Sequence, residues 1–242
     1  MRGLWWAALG SVVLASAGCA VWRVGQASEL ARRSEPFEQR PENATRRLLI
    51  VGDSTAVGTG ATSASSSLAG LIAQQHPRLL IKNRARDGAL FADVAQQLLR
   101  PGHFDIVLVQ AGGNDVIRLR REESMRNDID DMLDAARQRA DVVIVMPAGN
   151  VGNAPFFFPP WSWWMTHRAR TMHRLVARAA QRCGATYVKL FHEREDDPFV
   201  RQPELHASDG LHPSDAGYRV WWQALQTQSD LTRQLASAGA AP

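Results

Sequence analysis

The chain has 242 residues, enough for one sizeable domain with an appendage and for a core that needs no covalent staples. Charged residues make up 21% and apolar residues 45%, which excludes a disordered chain and a multi-span membrane protein. The net charge of +4 comes almost wholly from arginines dispersed among acidic residues with no basic run, so no nucleic-acid partner is expected, and two cysteines give no disulfide framework.

Residues 1–22 differ from the rest. From Gly3 to Trp22 the chain carries no charge, and about 20 apolar residues is the length a helix needs to cross the hydrocarbon core of a bilayer. A retained membrane anchor is the favoured reading. Cleavage after Ala17 as a secretory signal, or cleavage before Cys19 with lipidation there, are the other two fates that fit. Each places the bulk of the chain on the extracytoplasmic side. Residues 23–45, polar and rich in Arg, Glu and Gln, read as a linker, and 46–242 as the folded domain.

Within that domain, apolar runs of strand length alternate with segments of helical period. Strands are expected at Leu48–Val51, Leu79–Asn83, Asp105–Gln110, Asp141–Pro147 and Ala185–Phe191, each rich in Val, Ile and Leu as a strand buried on both faces should be. Helices are expected at Ser65–Gln75, Leu90–Leu99, Arg120–Arg139, His167–Arg182 and Asp215–Leu225. This alternation predicts a parallel sheet of five strands covered by helices on both sides. Ligands of such sheets sit beyond the carboxyl ends of the strands. Four polar, glycine-bearing clusters fall there: Gly52-Asp53-Ser54, Asn83 to Gly88, Gly112 to Asp115, and Ser208 to Pro213.

These clusters hold the parts of an acyl-transfer site. A serine hydroxyl such as Ser54 needs a base to take its proton, and an imidazole works best when a carboxylate fixes its tautomer. Asp209 and His212, three residues apart around Gly210, offer that pair, with Ser214 placed to cap the helix that follows. The backbone N–H groups of Ser54 and Gly88 and the side-chain amide of Asn114 could donate to a developing oxyanion. Asp53 and Asp115 read as residues that tie down loop backbone, and neither receives a catalytic role.

The segments GDST, Asn83 to Gly88, GGND and DGLH, in this order, resemble the four sequence blocks of the SGNH, or GDSL, hydrolases. The resemblance implies Ser54 as nucleophile, His212 as base, Asp209 as its orienting acid, and an oxyanion hole of Ser54, Gly88 and Asn114. It further implies a flavodoxin-like three-layer α/β/α sandwich, no metal, no cofactor, and hydrolysis of small-molecule, glycan or lipid esters. Thr55 stands where Leu gives the family its name, and Arg84, Arg86 and Asp87 load the second block with charge.

Two features point to the substrate from opposite directions. Arg84 and Arg86 suggest a polar or anionic group. The aromatic stretch Phe156–Trp164, interrupted by prolines and therefore not a regular helix throughout, could line an acyl pocket with Phe157 and Trp161, cover the site, or meet a membrane interface. Simple packing over the sheet edge is its plainest reading. His206, Asp209 and His212 also form an H-x-x-D-x-x-H pattern of the kind that binds divalent ions, but that reading leaves Ser54, Gly88 and Asn114 without a purpose. Two non-hydrolytic alternatives remain: a flavodoxin-like module whose loop from Ser54 to Thr62 wraps a mononucleotide phosphate, and a catalytically idle anchored scaffold.

Overall fold

The computed structural model describes residues 25–236, so the apolar segment of residues 3–22 lies outside the described residues. Among the described residues no helix is long and apolar enough to cross a membrane.

Five parallel strands form one sheet in the order β2-β1-β3-β4-β5, the doubly wound arrangement expected of the alternating pattern. The strands are β1 (Arg46–Gly52), β2 (Leu79–Asn83), β3 (Phe104–Gln110), β4 (Ala140–Val145) and β5 (Thr186–Tyr187). The helices used below are α1 (Ser54–Val57), α2 (Leu68–Gln75), α3 (Phe91–Leu98), α4 (Gly113–Ile117), α5 (Glu122–Arg137), α6 (Trp161–Cys183), α7 (Asp215–Gln228) and α8 (Leu231–Ala236).

Alternation along β1 divides its side chains between two cores. Leu49 and Val51 face one side, against Phe91 and Val94 of α3, Ile129 and Leu133 of α5 and Met172 and Val176 of α6. Leu48 and Ile50 face the other, against Leu68 and Ile72 of α2, Tyr218 and Trp222 of α7 and Leu231 of α8. Both faces are therefore dry, which explains why β1 reads as one unbroken apolar run.

Three expectations change. β5 is two residues long, because beyond it the amide of Gln228 takes the place of a ladder partner, accepting from Lys189 N (2.8 Å) and donating to Lys189 O (3.1 Å). α6 begins at Trp161, six residues before the expected His167; Pro160 immediately precedes it, where no helical N–H is lost. The stretch read as a linker is partly structured: residues 25–33 are helical, and Gln39 exchanges backbone hydrogen bonds with Ile81 of β2.

The carboxyl end of β1 is the tightest point of the sheet. Gly52 has φ +151°, and a Cβ there would stand 1.8 Å from the carbonyl oxygen of Gln110. The Gln97 side chain brackets the same residue, its amide accepting from Gly52 N and donating to Gly52 O, both at 2.9 Å. Replacing Gly52 by Ala is expected to cost at least about 3 kcal/mol of stability, measured by urea denaturation; a loss below about 1 kcal/mol would show that the strand ends separate freely.

Candidate active site

Asp53 follows Gly52 and turns the strand into α1. Its carboxylate accepts from Thr55 N (2.9 Å) and Thr55 Oγ1 (2.8 Å), capping the helix on which Ser54 is the first residue. Ser54 is 9% exposed, with its hydroxyl at the floor of a crevice. Across that crevice the loop Leu205–Pro213 folds back on itself: Ala207 N donates to His212 O, Gly210 N donates to Ala207 O, and Ser214 Oγ caps α7. The turn places the Asp209 carboxylate under its own loop, where Oδ1 accepts from Leu211 N and His212 N at 2.9 and 3.1 Å.

The three side chains then meet in line. Asp209 Oδ2 lies 2.6 Å from His212 Nδ1, and His212 Nε2 lies 2.9 Å from Ser54 Oγ. Burial pushes the Asp209 carboxyl up, but the hydrogen bond and charge of His212 and the two loop N–H groups outweigh it and hold the group below the usual carboxylate range. An ionised Asp209 fixes the imidazole with its proton on Nδ1 and leaves Nε2 as an acceptor toward the serine hydroxyl.

The expected oxyanion donors converge on the same crevice, which Ser54, Gly88 and Asn114 all line. Neither Ser54 N nor Gly88 N donates to a protein acceptor among the described residues. Asn114 Nδ2 gives one hydrogen to Ala89 O at 3.2 Å, which orients the amide and leaves its second hydrogen for a ligand. The crevice opens into a cavity of about 390 Å³ whose walls include Val151, Phe156, Leu190, Phe199, Leu211 and Trp221.

The four residues proposed from sequence to touch substrate are not gathered there. Arg84 is buried and donates to the carbonyls of Gln97, Arg100 and Pro101, so it holds the end of α3. Arg86 borders a neighbouring cavity instead. Phe157 packs on the core under α6, while Trp161 is 54% exposed and stacks on Trp164 at 5.5 Å. Phe156, one residue earlier, is the aromatic that reaches the cavity. The two halves of the H-x-x-D-x-x-H pattern also separate. His212 commits both ring nitrogens to Asp209 and Ser54, whereas His206 packs edge-to-face on Phe199. The loop after Ser54 makes no phosphate cradle, because it is turned inward: Tyr218 donates to Thr59 O (2.9 Å), and Asp215 accepts from Thr62 N and Oγ1.

Sequence reasoning missed several residues that shape the site. His173 is buried on α6 and spans Tyr187 OH (2.7 Å) and Ala148 O (2.8 Å), fixing the start of the loop that walls the cavity. Burial lowers its pKa to about 4, so it is neutral, with Nε2–H donating to the carbonyl and Nδ1 accepting from the tyrosine. Its spacing from Ala169, Met172 and Val176 marks the buried stripe of the helix and was the available signal. In the sequence Asn83 reads only as the start of the second block; its side chain donates to Ala56 O and accepts from Ala85 N, joining that block to α1.

The family profile described as the GDSL-like Lipase/Acylhydrolase family matches residues 50–220. No curated protein sequence matches the chain significantly. Solved structures do. An alpha/beta hydrolase enzyme, LAE5, from the metagenome of Lake Arreo is 22% identical, with a TM-score of 0.57 over 76% of this chain and 95% of that one. An extracellular lipase from Streptomyces rimosus is 19% identical, with a TM-score of 0.55 over 76% and 100%. A catalytic mutant of Axe2, an acetylxylan esterase from Geobacillus stearothermophilus, is 17% identical, with a TM-score of 0.57 over 80% and 95%. At these identities the likeness concerns the fold.

Two acids beside the crevice carry a consequence for stability. Burial raises Asp53 to about 6 and Asp115 to about 7, against the opposing hydrogen bonds from Thr55 and from Phe91 N respectively. For Asp115 the folded state holds the proton more tightly than the unfolded chain, so its contribution is present below about pH 4 and is lost as pH rises through about 7. In urea denaturation from pH 5 to pH 8, wild type should therefore lose on the order of 2 kcal/mol relative to Asp115→Asn. Parallel profiles for the two proteins would refute it.

Proposed function

The chain belongs to the GDSL-like lipase/acylhydrolase family and is a serine-dependent carboxylic ester hydrolase, and from that premise we propose how its residues divide the work. One observation carries the proposal: the unbroken relay from Asp209 Oδ2 to His212 Nδ1 and from His212 Nε2 to Ser54 Oγ, at 2.6 and 2.9 Å. Both distances lie within the reach required of a nucleophile, its base and the group that orients the base.

Ser54 Oγ attacks the ester carbonyl carbon while its proton passes to His212 Nε2. The carbonyl oxygen gains the negative charge and receives hydrogen bonds from Ser54 N, Gly88 N and Asn114 Nδ2. The carbon–oxygen bond to the alcohol then breaks, and the imidazolium gives its proton to the departing oxygen, leaving Ser54 acylated. Water enters, His212 takes one of its protons, and a second tetrahedral species collapses to carboxylate and free Ser54. Asp209 stays ionised throughout and stabilises the imidazolium in both halves.

The substrate we propose bears an apolar group beside the scissile bond. Support comes from the apolar walls of the 390 Å³ cavity, a volume within the range of small-molecule sites. Among proteins of like fold are an extracellular lipase and an esterase of acetylated xylan, so lipid and glycan esters both belong in the substrate panel. We further propose that the enzyme works outside the cytoplasm, held to a membrane by residues 3–22. The uncharged run from Gly3 to Trp22 supports that placement.

Ser54→Ala and His212→Ala should each lower kcat on 4-nitrophenyl butyrate by about 1000-fold or more, with melting temperatures within about 4 °C of wild type. A fluorophosphonate probe should label Ser54 in the wild-type chain alone. Turnover like that of wild type in either purified variant defeats the assignment of roles.

A further inference from the structure

Arg118 stands at the lip of the crevice, immediately after α4. Its guanidinium lies over Gly88: a Cβ built on Gly88, which has φ +73°, would stand 2.9 Å from an Arg118 nitrogen. A cation therefore sits beside one of the three oxyanion donors. Among the described residues no carboxylate or carbonyl partners that guanidinium, whereas Arg120, two residues on, is paired with Asp128 at 2.7 Å.

Beyond Gly88 lies a second cavity of about 480 Å³, which shares Asp87, Gly88 and Arg118 with the catalytic one. Arg84, Arg86, Arg100 and Asp93 also line it. The charges there are not equivalent. Arg84 is committed to backbone carbonyls, Asp87 accepts from Thr59 Oγ1, and Asp93 accepts from Leu90 N. Arg86, Arg100 and Arg118 remain as three guanidinium groups with no protein partner among the described residues, around one cavity that begins at the oxyanion hole.

We propose that this second cavity is an anion subsite, and that Arg118 selects ester substrates carrying a carboxylate or phosphate a few bonds from the scissile carbonyl. The proposal rests on the esterase reading above and names the substrate class that reading leaves open. A guanidinium offers a planar fork of donors that matches either anion with two parallel hydrogen bonds, and its charge cannot be titrated away. Of the residues that the sequence marked as charged in the second block, Arg86 thus acts through the neighbouring cavity, and Arg118, from outside that block, is the arginine that reaches both cavities.

The test compares kcat/KM of the full chain for matched esters. One pair is 4-nitrophenyl butyrate and mono-4-nitrophenyl glutarate, which puts the charge on the acyl side. A second pair is the butyryl ester of a phosphate-bearing alcohol and of its neutral counterpart. Arg118→Gln should lower the anionic-to-neutral ratio by about tenfold in the pair that uses the subsite, Arg118→Lys should fall between, and 0.5 M salt should shrink the wild-type preference. Glutarate and inorganic phosphate, titrated calorimetrically into Ser54→Ala, should bind more weakly once Arg118→Gln is added. Ratios that Arg118→Gln leaves unchanged in both pairs, with anion binding equally unaffected, overturn the subsite. Neutral-ester hydrolysis surviving in Ser54→Ala instead overturns the esterase reading, so the two failures are distinguishable.

Discussion

The hydrogen bond between Ser54 and His212 joins residues 158 positions apart, and the rest of the architecture can be read as the means of keeping it at 2.9 Å. Proton transfer falls off once donor and acceptor drift beyond hydrogen-bond reach, so both loops must be fixed relative to each other and not merely to the sheet. On the serine side, Gln97 grips Gly52 and Asp53 caps α1. On the histidine side, Asp209 anchors its own loop through two N–H groups. Between them run direct ties: the Tyr218 hydroxyl donates to carbonyls at Thr55 and Thr59, and Asp215 accepts from Thr62. The first turn of α7 therefore clamps the loop that carries the nucleophile, while Ser214 and Pro213 lead straight from that turn back to His212.

Three buried aspartates, Asp209, Asp115 and Asp53, show how burial and donor count set charge. Asp209 receives three hydrogen bonds, from two N–H groups and an imidazole, and stays ionised. Among the described residues Asp115 receives one, from Phe91 N, and its other oxygen is buried without a partner. Burial then wins, and the proton stays on toward neutral pH. The difference suits the reaction. In the proposed mechanism a negative charge is useful behind the imidazolium, where it stabilises a cation, and harmful next to Asn114, the proposed oxyanion donor. Asp53 lies between the two cases, since Thr55 supplies two donors and burial still raises it to about 6.

The sheet was readable because β1 and β3 are apolar and buried along most of their length, and because polar, glycine-bearing clusters follow β1, β2 and β3 directly. Asp209 and His212 were readable as a pair because their partnership is local, set by a three-residue turn. Arg84 was not, because its partners are the carbonyls at Gln97, Arg100 and Pro101, which no residue type advertises, and arginine composition argues for the surface. The aromatic stretch misled for a different reason. Six large rings in nine residues indicate an apolar environment somewhere, but which ring faces the cavity depends on where α6 begins, and a start at Trp161 turns Trp161, Trp163 and Trp164 outward. Phe156 reaches the cavity because it precedes the helix and its N–H is held by Gly210 O on the histidine loop.

One member of each pull seen in the sequence, Phe156 of the aromatic stretch and Arg86 of the basic block, thus borders one of two cavities that meet at Gly88. Their physical roles differ. Apolar walls reward buried area at about 25 cal/mol per Å² and are indifferent to sliding, so they bind a group without fixing which carbonyl faces Ser54. A guanidinium is directional, so in the proposed arrangement an anion held by Arg118 beside Gly88 sets the register of the whole substrate. Binding energy gathered away from the reacting bond is then available to orient it, which is how remote contacts raise turnover and not affinity alone. In the arrangement proposed, Arg118 performs that function because its guanidinium lies over Gly88, one of the three proposed oxyanion donors.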